Sequence, residues 1–103
     1  MKDITDNDFE ELVLRSRGRV IVLFGAPWCA PFKALVPELV AIEHEARGKI
    51  TVYKMNVDEN PVIATRMGVR GVPTLMVFQN EQLIARYTGG SAAPLRSKLT
   101  EGM

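Results

Sequence analysis

The chain has 103 residues, of which 47 % are hydrophobic and 24 % are charged, and its formal net charge is +1. This balance is typical of a folded domain with one core, and it excludes a disordered chain. The charges form no basic block interleaved with aromatic residues, and the longest apolar run, residues 20–28, is too short for a membrane-spanning helix. The sequence therefore predicts a single domain over residues 1–103, with neither a nucleic-acid nor a membrane partner.

The N-terminal residues indicate the compartment, and the single cysteine and single histidine indicate whether a metal or cofactor is expected. The first residues are acidic and lack the basic head and apolar stretch of a secretory signal, which predicts a cytoplasmic protein. Cys29 is the single cysteine, so an internal disulfide is excluded, and together with the single histidine, His44, it is too little for a Cys/His zinc site. We expect no metal and no cofactor, and a monomer in which Cys29 forms an intermolecular disulfide only on oxidation.

The first half of the chain begins with a short strand and a helix. Thr5 and Asp8 are spaced as a capping box, and the helical pattern that follows ends at Gly18. The β-branched run 19–25 has apolar residues on both faces, which predicts a central strand covered by helices on each side.

The next helical pattern occupies residues 29–47, and a strand pattern follows over residues 49–58. Asn60 is predicted to be the N-cap, and Pro61 the first residue, of a short helix that ends at Gly68.

The last third of the chain predicts a hairpin and a helix. Segments 74–78 and 82–88 flank a polar turn, and a final helix is expected to begin near Ser91. The whole order predicts an α/β fold in which a mixed sheet, with a parallel core and an antiparallel hairpin, is flanked by helices on both faces.

Cys29 lies where the predicted central strand ends and a helix begins, the position at which open α/β sheets place their ligands. A thiol there meets unpaired N–H groups and the positive end of the helix dipole, which favour the thiolate. A free cysteine in an apolar stretch is also commonly an inert core residue. The position alone leaves both interpretations open.

Three motifs give the chain a family resemblance. The stretch WCAPFK, residues 28–33, is similar to the W-C-G-P-C-K motif of thioredoxins, and NVDENP, residues 56–61, is similar to their N-x-D-x-N-P turn. The stretch GVRGVPTLMVF, residues 68–78, resembles the strand entry that carries the family's cis-proline. The resemblance runs over nearly the whole chain and implies the thioredoxin fold.

The resemblance also implies roles for individual residues. Cys29 corresponds to the attacking cysteine, expected to be exposed and reactive, and Val72 would offer its backbone to an extended substrate peptide. Pro73 corresponds to the cis-proline that faces the sulfur. The expected substrate groove consists of Trp28, Ala30, Pro31, Val72, Pro73 and Gly89.

The sequence departs from the family pattern at two linked positions. Phe32 stands where the family has its resolving cysteine, and Leu23 stands where it usually has a buried aspartate. Lys54 corresponds to the lysine near that aspartate and is expected to extend to solvent. Without a second thiol, Cys29 can enter a mixed disulfide but needs an outside thiol to leave it.

Two hypotheses of different classes follow. In the first, the protein is a monothiol oxidoreductase in which Cys29 attacks a protein disulfide or a glutathionylated cysteine, and glutathione or a reductase system supplies the second thiol. In the second, it is a catalytically impaired binding or scaffold module that keeps the peptide groove.

Overall fold

The computed structural model describes residues 1–89 and 95–103. In chain order its elements are β1 (Lys2–Asp3), a π-helical segment (Glu10–Leu14), β2 (Arg19–Gly25), α1 (Ala30–Ala46), β3 (Ile50–Asn56), α2 (Pro61–Arg66), β4 (Thr74–Gln79), β5 (Gln82–Thr88) and α3 (Leu95–Thr100). The predicted start of the last helix, near Ser91, lies outside the described residues. Among the described residues, no helix is both long enough and apolar enough to span a membrane.

The five strands form one mixed sheet in the order β1-β3-β2-β4-β5. Strand β2 is at the centre, where it runs parallel to β3 and antiparallel to β4. Strands β4 and β5 are the predicted antiparallel hairpin. The predicted fold class, a mixed sheet with helices, is confirmed.

Alternate residues of β2 face two separate cores, which is why every residue of this strand is buried. Ile21 and Leu23 belong to a cluster that includes the apolar side chains of α1 and α3. Val20, Val22 and Phe24 belong to a second cluster that includes residues of the π-helical segment and of α2. Because both faces of β2 are covered, its residues form a nearly continuous apolar run.

The first helix ends earlier than predicted and is π-helical, so it is wider than an α-helix. The N–H of Thr5 donates to the Asp8 carboxylate at 3.1 Å, which is one half of the expected capping box. The helical segment, however, ends at Leu14, and the N–H of Arg15 donates to the carbonyl of Glu10, five residues back, at 3.0 Å. The prediction of a helix up to Gly18 was wrong because apolar spacing reports which residues face the core, and not which carbonyl each N–H reaches.

The N-terminus of α2 is capped from a distant segment. Asn60 is the N-cap and Pro61 the first residue of α2, as predicted, but the helix ends at Arg66 and the Asn60 side chain makes no capping hydrogen bond. The Asp6 carboxylate accepts instead from the N–H groups of Val62, at 3.2 Å, and Ile63, at 2.9 Å. The Asn60 side-chain oxygen accepts from the N–H of Asp6 at 2.9 Å, and this contact holds the capping carboxylate in place.

Candidate active site

Four loops meet at one end of the sheet. The loops after β2 and β3 lie there because these strands are parallel. The loop before β4 lies there because β4 is antiparallel to β2, and the loop after β5 because β5 is antiparallel to β4. They bring together Cys29, Asp58, Pro73 and Gly89. Their convergence places most of the sequence-predicted groove at a single edge of the sheet.

Cys29 is the N-cap of α1, with extended backbone angles of φ −93° and ψ 107°. Its N–H donates to the carbonyl of Ala26 at 3.0 Å, and this bond closes the turn between β2 and α1. The side chain makes no capping hydrogen bond, and the first turn of α1 contains no acidic residue. The positive end of the helix therefore faces the thiol without a competing carboxylate in that turn.

The thiol is nevertheless well covered. Cys29 is 7 % exposed and belongs to the core cluster that includes Phe32, with the half-buried Val72 packed against it. The expectation of an exposed thiol was therefore wrong, because apolar side chains close around the sulfur. Only a small part of the residue faces solvent.

Phe32, which the resemblance aligns with the resolving cysteine, fills the space beside the end of β2. Its side chain is buried, and its ring lies directly against Gly25, the last residue of β2. A Cβ added to Gly25 would lie 2.6 Å from Cε1 of the ring and closer still to Cγ and Cδ1. Any residue larger than glycine at position 25 would therefore collide with this ring.

The floor beneath the thiol is apolar. Leu23 is completely buried and lies beside Lys54 of β3 and Leu75 of β4 in the sheet register. The Lys54 ammonium group lies 3.8 Å from the Asp3 carboxylate, so this lysine reaches an ion pair at the sheet edge.

Trp28 forms the exposed side of the site, with 68 % of its surface accessible. Its indole N–H donates to the Asp58 carboxylate at 2.7 Å, and the N–H of Asp58 donates to the Asn56 side-chain oxygen at 2.9 Å. Sequence reasoning assigned no function to Asp58, although the residue stands inside the quoted NVDENP motif. Its position immediately after a parallel strand was the available signal.

The opposite side is the loop before β4. The peptide bond between Val72 and Pro73 is cis, Pro73 is buried, and its carbonyl accepts from the N–H of Gly89 at 2.9 Å. Within the described part of the chain, the backbone N–H and carbonyl of Val72 form no hydrogen bond. These two groups are available to an extended peptide.

Ala30 and Pro31, the remaining predicted groove residues, are exposed in the first turn of α1. Over residues 1–89 and 95–103, no group of histidine, cysteine or acidic side chains is arranged to hold a metal ion.

Comparisons with known proteins identify the family. A sequence profile described as Thioredoxin matches residues 1–101. The chain belongs to the thioredoxin family. Over 103 residues it is 44 % identical to the chloroplastic M-type thioredoxin of Spinacia oleracea, and the match covers 100 % of this chain and 55 % of the spinach protein. The chain thus spans about half the length of that relative.

Other relatives are closer to this chain in length. The thioredoxin of Rhodospirillum rubrum is 43 % identical over 89 residues, and the match covers 86 % of each chain. One similar solved structure comes from work described as "Structural basis of the thiol resolving mechanism in yeast mitochondrial 1-Cys peroxiredoxin via glutathione/thioredoxin systems". It superposes with a TM-score of 0.88 at 25 % identity and covers 98 % of this chain and 94 % of the other.

Proposed function

We propose that this thioredoxin-family member is a monothiol thiol–disulfide oxidoreductase whose reaction is completed by an external thiol. The observation that carries the proposal is the packing of Phe32 against Gly25 one helical turn from Cys29. The ring occupies the resolving position with a side chain that forms no sulfur bond. Cys29 is the single cysteine of the chain, so a mixed disulfide on it has no internal route of release.

The chemistry is simplest for a glutathionylated protein cysteine. The Cys29 thiolate attacks the glutathione sulfur, the substrate disulfide breaks, and the protein thiolate leaves and takes up a proton. The thiolate of a second glutathione then attacks the glutathione sulfur of the adduct. Oxidised glutathione forms, and the Cys29 thiolate is restored. One protein thiol is regained for each free glutathione consumed and each molecule of oxidised glutathione formed, and no internal cysteine is needed.

Access to the thiol follows the groove. Because Cys29 is 7 % exposed, a substrate sulfur reaches it only when the substrate chain lies extended between Trp28 and Val72. The backbone N–H and carbonyl of Val72, which have no hydrogen-bond partner among residues 1–89 and 95–103, are suited to bind such a chain as an added strand. The Trp28 ring, anchored by Asp58, forms the opposite wall.

This activity requires a supply of small thiols, which we place in a reducing compartment such as the cytoplasm. The structural neighbour described above concerns a thiol resolving mechanism via glutathione/thioredoxin systems, and this description agrees with glutathione or a reductase system as the source of the second thiol. We propose that the protein acts as a monomer.

The alternative is a binding module, which the burial of Cys29 favours. In that case the groove holds an extended peptide by the backbone of Val72 and the face of Trp28, and the thiol takes no part. Both functions use the same surface, so only the chemistry at Cys29 separates them.

Mass spectrometry of the reduced protein exposed to a glutathionylated peptide makes this separation. We expect a glutathione adduct on Cys29 that clears when free glutathione is added and that re-forms over repeated cycles. Cys29→Ser is the matched control, since it replaces the sulfur by one oxygen, and it should form no adduct.

A Cys29 that forms no adduct, while the intact protein still binds the peptide, would replace the oxidoreductase by the binding module. An adduct that forms once and never clears in excess glutathione would contradict the proposed cycle.

A further inference from the structure

Arg19 begins β2 at the end of the sheet opposite Cys29, and its side chain is almost completely buried. The residue is 4 % exposed. Its Nε donates to the Gln79 side-chain oxygen at 2.9 Å, and its Nη1 donates to the backbone carbonyls of Leu99, at 3.1 Å, and Glu101. The guanidinium therefore joins the start of β2 to the C-terminal end of α3.

These hydrogen bonds satisfy the Nε and Nη1 donors of the guanidinium. They provide no negative charge from the described residues to balance its positive charge. Arginine remains protonated at neutral pH, and a buried charge is costly unless it is paired. Within residues 1–89 and 95–103, no carboxylate, that of Met103 included, forms an ion pair with Arg19 or with Lys49. Nη2 also has no hydrogen-bond partner among these residues, yet it is not fully enclosed.

The same guanidinium lines a pocket of about 590 Å³. Nη2 lies on the side of this pocket, 3.6 Å from the place where a Cβ on Gly102 would stand. Lys49, whose side chain is exposed, contributes a second positive charge to the lining. The other lining residues, which carry no acidic side chain, are Gly18, Gly48, Gln79, Asn80, Gly102 and Met103.

We infer that this pocket binds the oxyanion group, phosphate or carboxylate, of a small molecule. A buried guanidinium with one free N–H pair and a nearby ammonium group provide charge-assisted donors that an oxyanion accepts. The three glycines present no side chain on the pocket wall, so an anion can approach the backbone there. The pocket, of about 590 Å³ and open to solvent, leaves room for a small molecule that carries such a group.

The site is independent of the thiol chemistry proposed above. Strand β2 separates Arg19 from the Cys29 end by about 20 Å, given the ordinary rise of a strand. A ligand at Arg19 and a substrate at Cys29 therefore do not touch.

The test is an NMR titration of the full chain with inorganic phosphate, and separately with acetate, at constant ionic strength and pH 7. We expect saturable shifts of the backbone amides of Gly18, Gly48 and Gly102 and of the Arg19 guanidinium signals. The amides of Trp28 and Cys29 should remain unshifted. The ion that saturates identifies the head group as phosphate or as carboxylate.

Two charge-matched variants separate a site from a general charge effect. Lys49→Gln should weaken the binding about fivefold, as expected for loss of an exposed charge, and it leaves the Arg19 contacts intact. Arg66→Gln removes one positive charge from the exposed surface of α2 and should bind as the wild type does. Failure of both ions to produce saturable shifts, or equal weakening by both variants, would overturn the inference. Neither result bears on the chemistry of Cys29.

Discussion

The two ends of β2 bury a polar side chain to nearly the same degree and in opposite ways. Arg19 is 4 % exposed and rests on one side-chain and two backbone oxygens, whereas Cys29 is 7 % exposed and packs among apolar side chains. A guanidinium has five donors to satisfy, and a thiol is a weak donor that tolerates apolar neighbours. Burial alone therefore does not show which group is ready to react or to bind. The interaction partners that each group lacks are more informative. Among residues 1–89 and 95–103, Arg19 has no acidic partner, and Cys29 is the single cysteine of the chain.

Phe32→Cys should change the Cys29 end most. It restores a second thiol one helical turn away, so the glutathione adduct on Cys29 should decay at least about a hundredfold faster without added thiol, because the attack becomes intramolecular. Mass spectrometry of the isolated adduct over time measures the decay.

Phe32→Ser is the matched control, since it opens the same space without adding sulfur. An adduct that persists equally in both variants would show that the missing thiol is not what limits release.

Arg19→Met should have the largest effect on stability at the other end. It removes the charged donor from the carbonyls of Leu99 and Glu101 and should lower the free energy of unfolding by about 3 kcal/mol. Urea denaturation measures this loss as a shift in midpoint at constant slope. Arg17→Met, at a side chain that is 88 % exposed, should stay within about 0.5 kcal/mol of the wild type. Equal effects of the two substitutions would remove the contrast between the ends.

Gly25→Ala tests how tightly the Cys29 end is packed. The added methyl collides with the Phe32 ring, and such overpacking should destabilise the protein by about 2 kcal/mol. In a Phe32→Ala background the space is open, so the same change should have little effect. A double-mutant cycle measures this coupling. Additive losses would mean that the ring does not constrain position 25.

Tyr53 gives the smallest expected effect, and it concerns a strand beside β2. Burial, followed by the nearby Glu43 carboxylate, raises the pKa of the Tyr53 hydroxyl above its ordinary value of 10.0. The folded state holds this proton more tightly than the unfolded state, so the stability contribution is complete below pH 10 and is lost as the pH rises through the folded pKa.

Urea denaturation midpoints at several pH values up to 11 test this pH dependence of stability. The Cys29→Ser background is used because it contains no thiol. Tyr53→Phe should flatten the alkaline fall in stability, and an unchanged slope would contradict the assignment.

The sequence was sufficient for the strands and for the family, because β-branched runs and three spaced motifs are local signals. It was insufficient wherever a contact joins distant segments. The Asp6 cap on α2 spans more than fifty positions, and no spacing rule relates the two segments. The burial of Cys29 depends on how the apolar cluster that contains Phe32 packs, which a pattern of residue types does not specify. No sequence pattern singled out Arg19, because one arginine at the start of a strand belongs to no motif.

The packing of Phe32 against Gly25 also affects which single substitutions the chain can accept. A smaller side chain at position 32, cysteine included, leaves a void over Gly25, and any side chain at position 25 collides with the Phe32 ring. Each change is unfavourable on its own, and each should be less unfavourable when the other is made with it. Selection acting on one substitution at a time therefore meets a loss of stability at either position, and this single packing contact disfavours the change of Phe32 to cysteine.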